Sequence, residues 1–208
     1  VDFLTTGPDD AAITILLAHG AGAPMDSAAM SASAAVLAAE GLRVVRFEFD
    51  YMATRRSGGR KPPPKAELLM PQYEQAVSSA PISGKLIIGG KSMGGRVASM
   101  VADRFHDAGK LSGLLCLGYP FHPPDKPQQL RTAHLKNLKT PTLIVQGTRD
   151  PFGTREQVPA YDLSPSIEIH WLEDGDHDLK PRKSVSGFTA ADHLRGMAAK
   201  VREWTQSL

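Results

Sequence analysis

The stretch Lys85-Leu86-Ile87-Ile88-Gly89-Gly90-Lys91-Ser92-Met93-Gly94-Gly95 constrains this chain more than any other. An apolar run suited to one buried strand stops at glycines, turns at a serine and resumes as a helix-compatible segment reaching about Phe105. Gly90-Lys91-Ser92-Met93-Gly94 fits G-x-S-x-G, a strand-to-helix turn so sharp that its serine adopts a strained backbone costing ~1–3 kcal/mol. The positions two before and two after the serine crowd that turn, so only the smallest residues fit there. Ser92 Oγ and the Met93 N–H then face the same space. A tight βα turn that merely packs Gly94 and Gly95 on a sheet has the same pattern, and the motif alone leaves both readings open. A phosphate-binding G-x-x-x-x-G-K-[ST] loop is excluded, because its first glycine would fall on Lys85.

Two later strand-like runs each end in a residue type that a serine nucleophile needs. Thr142-Leu143-Ile144-Val145-Gln146-Gly147-Thr148-Arg149 leads to Asp150, and Ile167-Glu168-Ile169-His170-Trp171-Leu172 leads through an acidic loop to His177. A serine hydroxyl is a weak nucleophile and requires an adjacent base. His177 is the candidate base, and Asp150 the candidate to orient it and stabilise the imidazolium. Asp174, Asp176 and Asp178 flank His177 and read as a solvated acidic loop. They offer a metal too few correctly spaced ligands, so neither a metal nor another cofactor is expected.

Ala11-Ala12-Ile13-Thr14-Ile15-Leu16-Leu17-Ala18 is a continuous apolar run, as for a strand buried on both faces of a parallel sheet. It ends in His19-Gly20-Ala21-Gly22-Ala23-Pro24, whose small residues leave backbone N–H groups uncovered. The Ala21 N–H, with Gly22 as the alternative, is the candidate second donor to an oxyanion beside Met93; an ordinary flexible loop is the other reading. His19 at the strand end is expected to brace this loop.

Helix is expected from Asp26 to Glu40, and a less deeply buried strand over Leu42–Phe49. The following segment, Tyr51 to Pro64, carries Arg55, Arg56, Arg60 and Lys61 without an acid and reads as a solvated loop at the ligand-binding edge of the sheet. Its arginines are candidates to attract an anionic substrate or a partner. Lys65 to Ser79 is broadly helical, with Pro71 either breaking it or opening its second half. Gly113 to Gly118 is another apolar strand, followed by the stiff loop Tyr119-Pro120-Phe121-His122-Pro123-Pro124. The gap between that strand and the one carrying Asp150 has room for one short helix, Gln128 to Asn137, and no lid domain. An open site walled by loops follows, with Gly22, Tyr51, Tyr119, Phe121 and His122 as candidate substrate contacts beside Met93. Thr154 to Tyr161 reads as a short helix. Phe188 to Leu208 is an amphipathic one, with a capping box at Thr189 and Asp192.

The 208 residues suit a single domain, 1–208, around one core. A net charge of +2 is too mild to imply nucleic-acid binding. No apolar stretch approaches the ~20 residues of a membrane span, and no signal-like start is present. Cys116 lies alone inside an apolar run, so a buried thiol in a reducing, cytoplasmic setting is expected.

Gly90–Arg96, Tyr119–Pro123, Gln146–Gly153 and Gly175–Leu179 together resemble a compact branch of the α/β-hydrolase superfamily. That branch is close to dienelactone-hydrolase-like proteins and includes a testis-expressed protein and a histone-acetyltransferase-complex subunit. The order Ser, Asp, His is also that of α/β-hydrolase triads. The resemblance covers nearly the whole chain. It implies a mostly parallel central sheet with helices on both faces, no lid domain, and a triad of Ser92, Asp150 and His177. Dienelactone hydrolases carry a cysteine nucleophile where this chain has Ser92, so that activity does not transfer simply. The expected function is a serine hydrolase acting on a small carboxylic ester, a thioester or a small amide. The alternative is a binding or scaffold module that uses the basic loop for partners.

Overall fold

The computed structural model describes residues 1–59 and 61–208. Arg60, one of the loop cations singled out above, lies outside the described residues. Seven strands form one sheet: β1 (Phe3–Thr6), β2 (Ile13–Ala18), β3 (Arg43–Phe47), β4 (Lys85–Lys91), β5 (Gly113–Leu117), β6 (Thr142–Gly147) and β7 (Ile167–Leu172). Their spatial order is β1-β3-β2-β4-β5-β6-β7. All neighbours are parallel except β1, which runs antiparallel on β3. Strand β1 is too short and polar to have been read from the sequence.

Helices cover both faces, as parallel connections require. On one side α1 (Ala28–Ala39) and α6 (Ala190–Thr205) pack on Ile15, Leu17, Ile87, Leu115 and Leu143. On the other, α2 (Asp50–Arg56), α3 (Met70–Ser79) and α4 (Met93–Asp107) pack on Leu16, Val45, Ile88, Leu114 and Ile144. A short α5 spans Lys183–Ser186. The capping box at Thr189 and Asp192 starts α6. Pro71 stands in the first turn of α3, where its missing N–H costs nothing, behind a 3-10 turn at Ala66–Leu69.

Four expectations need correction. Strand β3 is buried along its whole length, because β1 covers its outer side. Its arginines survive burial by pairing: Arg43 with Asp9 and Pro81 O, and Arg46 with Met25 O and Ser31 Oγ. Gln128–Asn137 forms turns rather than a helix. Thr154–Tyr161 contains only a 3-10 turn, Val158–Ala160. In the basic segment, helix α2 extends to Arg56, and acids from outside the segment meet Arg56. Arg56 forms a two-pronged pair with Asp26 at 2.7 and 2.8 Å and reaches Glu48 at 2.6 Å. Arg55 donates to the carbonyls of Lys61 and Ala21.

One buried tyrosine ties the central strands together. Tyr73 is fully buried; its hydroxyl lies 2.6 Å from Gly89 O and accepts the Gly89 N–H at 2.9 Å. Burial pushes its phenol far up, so it remains a neutral donor and acceptor. Tyr73→Phe removes from the core the hydroxyl that meets Gly89 on β4 and Leu16 O on β2. The expected loss is about 1–3 kcal/mol, read as a lower urea midpoint at unchanged slope.

Candidate active site

Strand β4 ends at Lys91, and Ser92 opens α4 with φ 50° and ψ −115°. This is a left-handed backbone that a serine adopts only when its surroundings impose it. The glycines on either side explain how. A Cβ on Gly90 would lie 2.6 Å from Ala18 O, and one on Gly94 would lie 2.5 Å from the same oxygen. The turn is therefore pressed directly against the end of β2. The Ser92 N–H donates to Leu117 O at 3.0 Å and anchors the turn to β5 as well.

The structure brings Ser92, His177 and Asp150 into one hydrogen-bonded line. Ser92 Oγ lies 2.8 Å from His177 Nε2, and His177 Nδ1 lies 2.8 Å from Asp150 Oδ2. Asp150 has no solvent exposure. Its charge is balanced by donors: Gln146 Nε2 reaches Oδ2 at 2.9 Å, and the Phe152 N–H reaches Oδ1 at 2.8 Å. The Phe152 ring stands 4.1 Å from the His177 ring, centroid to centroid, and limits its rotation.

Two more groups hold the His177 loop. Lys91 Nζ, largely buried, donates to His177 O at 2.6 Å; burial draws this ammonium below the ordinary lysine range. Asp174, at φ 57°, is buried rather than solvated. It receives the Arg182 N–H at 2.6 Å, and the Arg182 guanidinium grips the same carboxylate. Asp176 accepts the N–H groups of Asp178 and Lys180, both at 2.9 Å. The acidic loop thus spends its carboxylates on its own shape.

The loop after β2 is held from behind. The buried ring of His19 donates from Nδ1 to Gly20 O at 2.6 Å and accepts the Phe49 N–H at 3.2 Å. Burial lowers its affinity for a proton, which suits that neutral form. Tyr51 Oη lies 3.3 Å from both Gly20 O and Ala21 O. A trans peptide sets C=O and N–H on opposite sides, so fixing Gly20 O on the tyrosine side turns the Ala21 N–H the other way. Neither the Ala21 nor the Met93 N–H has a hydrogen-bond partner among the described residues.

A cavity of about 450 Å³ opens over Ser92, within the usual range for small-ligand sites. Ala21, Met93, Phe152 and Pro120 line it, with Lys65, Glu67, Arg96 and Arg131 as its charged groups. The expected substrate contacts sit elsewhere. Tyr51, Tyr119, Phe121 and His122 are buried in the core, because each spends its polar or aromatic surface on neighbours. The Tyr119 hydroxyl donates to Arg131 O, and the His122 ring spans Pro123 O and Gln157 Oε1. Gly22 is exposed and lies off the cavity wall. Gln146, Lys91, Phe152, Arg96 and Arg131 went unread in the sequence. A glutamine inside the apolar run Thr142–Gly147 was the one available signal, since an unpaired amide is costly in a core.

Residues 11–206 match the model of the alpha/beta hydrolase domain, and the chain belongs to that family. Solved structures with the same architecture include a dienelactone hydrolase from Anabaena variabilis, at 20% identity and a TM-score of 0.69 over 99% of this chain and 90% of that one. A lid-less α/β serine hydrolase from Xanthomonas campestris gives 17% identity and a TM-score of 0.68 over 99% and 88%. An esterase domain from a Rhodothermus marinus protein gives 14% and 0.63 over 100% and 99%. At these identities they establish the fold: an α/β hydrolase without a lid domain. No helix among the described residues is long and apolar enough to cross a membrane.

Arg182 holds the Asp174 carboxyl at about 2, below the ordinary carboxylate range. A group depressed on folding adds stability above its unfolded value and loses it as pH falls through the folded one. Asp174→Asn is therefore expected to lower the denaturation midpoint near neutrality. The gap to the native chain should close between about pH 4 and pH 2. Midpoints measured across that series check it, and a gap independent of pH contradicts it.

Proposed function

We propose that this chain is a serine hydrolase that cleaves small carboxylic esters through an acyl-enzyme on Ser92. Thioesters and small amides share that acyl-transfer chemistry. The observation that carries the reading is the unbroken line from Ser92 Oγ through His177 to the buried Asp150, opening into a cavity of about 450 Å³.

In this mechanism Ser92 Oγ attacks the substrate carbonyl as His177 Nε2 takes its proton. Asp150 keeps the Nδ1 proton in place and stabilises the imidazolium. The oxyanion of the tetrahedral intermediate is received by the Met93 and Ala21 N–H groups, both unengaged and both on the cavity wall. Collapse breaks the C–O bond, and His177 returns its proton to the departing alkoxide. Water then attacks the acyl-enzyme by the same steps in reverse roles, freeing the acid and restoring Ser92. The strained turn at Ser92 supports this reading, since it keeps the hydroxyl aimed before substrate arrives.

The alternative of a module binding partners through its basic loop loses its main support at Arg56, whose charge is already met by Asp26 and Glu48. A fluorophosphonate probe separates the readings. The native chain should label and the Ser92→Ala variant should not, with hydrolysis of 4-nitrophenyl acetate lost in parallel; folded native chain that takes no label counts against the enzyme. A second variant tests the oxyanion assignment. Tyr51→Phe removes one of the two holds on Gly20 O and leaves His19 Nδ1, and kcat should fall, by less than the ~100-fold or more seen when a donor itself is removed. KM should change little; an unaltered kcat would show that Tyr51 does not orient the donor and that His19 fixes the Gly20 carbonyl by itself.

A further inference from the structure

The cavity beside Ser92 carries an excess of positive charge. Lys65, Arg96 and Arg131 line it against a single acid, Glu67. Arg96 lies four residues after Ser92, so its side chain leaves the same face of α4 one turn further on. One terminal nitrogen donates to Glu67 Oε1 at 2.7 Å, while Arg96 Nε is buried without a hydrogen-bond partner. Glu67 is half exposed, so water weakens its hold on that charge.

Arg131 enters from the connection between β5 and β6. Its backbone is fixed on both sides: its N–H donates to Phe121 O at 2.7 Å, and its carbonyl accepts the Tyr119 hydroxyl at 3.2 Å. Its guanidinium has no hydrogen bond or ion pair among the described residues. Burial draws this guanidinium below the ordinary arginine range, and the Arg96 charge draws it further. The neighbouring His134 is lowered to about 4, by burial first and by Arg96 second. Two arginines are thus held near each other, partly out of water, with one incomplete counter-charge.

We infer that the preferred substrate is an ester bearing a carboxylate, which Arg131 and Arg96 receive while the scissile carbonyl lies at Ser92. This rests on the ester-hydrolase reading above. The planar fork of Arg131 is free to take both carboxylate oxygens, the geometry that guanidinium matches best. Arg96 adds the second positive charge. Lys65, exposed at the rim, adds only screened attraction. The charge expected of Arg55 and Arg56 is thereby reassigned to a pair on the cavity wall.

Matched esters test this. Mono(4-nitrophenyl) glutarate against 4-nitrophenyl valerate sets the carboxylate on the acyl side. The pair 4-acetoxybenzoate and 4-acetoxybenzamide sets it on the leaving side. The anionic member of at least one pair should have the higher kcat/KM by about ten- to a hundredfold. Arg131→Gln should bring that ratio toward one, chiefly through KM, and Arg131→Lys should restore only part of it, because an ammonium does not reproduce the fork. Absence of any anionic preference, or a preference that Arg131→Gln leaves intact, overturns the carboxylate subsite while neutral-ester turnover leaves the hydrolase reading standing. If folded chain turns over none of these esters and Ser92 takes no fluorophosphonate, the hydrolase reading fails and this inference falls with it.

Discussion

The backbone contact between the β4–α4 turn and the end of β2 organises the site. Gly90 and Gly94 bring main chain against Ala18 O at a distance no Cβ would allow. That approach holds Ser92 at φ 50°, a conformation costing ~1–3 kcal/mol in isolation. It also sets the loop after β2 beside the serine, since Ala21 stands only three residues beyond Ala18. One close approach therefore settles the direction of the hydroxyl, the position of the Met93 amide and the nearness of the Ala21 amide. The ladders from β4 to β2 and to β5 flank the turn and supply the stability that offsets its strain.

The remaining groups are fixed by making burial expensive to undo. Asp150 is a charge without solvent exposure, and it stays in place because Gln146, Phe152 N–H and His177 complete its hydrogen bonds. Removing water from such a group strengthens each remaining interaction. The same logic shapes the His177 loop, where Lys91, Arg149 and Arg182 meet carbonyls and the Asp174 carboxylate. The proposed base is held from β4, β6 and its own loop together. A rigid surround of this kind lets a small lid-less cavity present its polar groups already aimed, with no domain closure required.

The residues of the cavity wall divide into neutral and charged groups. Ala21, Met93 and Phe152 line it with Ser92, and so do Arg96 and Arg131. Basic residues alone did not predict this division. Arg56, in the most basic stretch of the chain, is neutralised by Asp26 and Glu48, which lie outside that stretch, 30 and 8 residues away. Arg131, in an unremarkable stretch, has a guanidinium with no partner among the described residues. Local charge density misled because each charge acts through its nearest partners in space.

The amino-acid order by itself determined the parallel sheet, the place of the serine turn and the strand ends carrying Asp150 and His177. Apolar runs and small residues at a sharp bend are local properties, and local physics is legible in a single chain. The pairing of β1, the neutralisation of Arg56 and the burial of Tyr51, Tyr119, Phe121 and His122 were decided only in three dimensions. So was the emergence of Arg96 and Arg131 on the cavity wall. An aromatic ring or a cation has no fate of its own along the chain: whether it lines a pocket or fills a core depends on which remote atoms the folded sheet brings beside it.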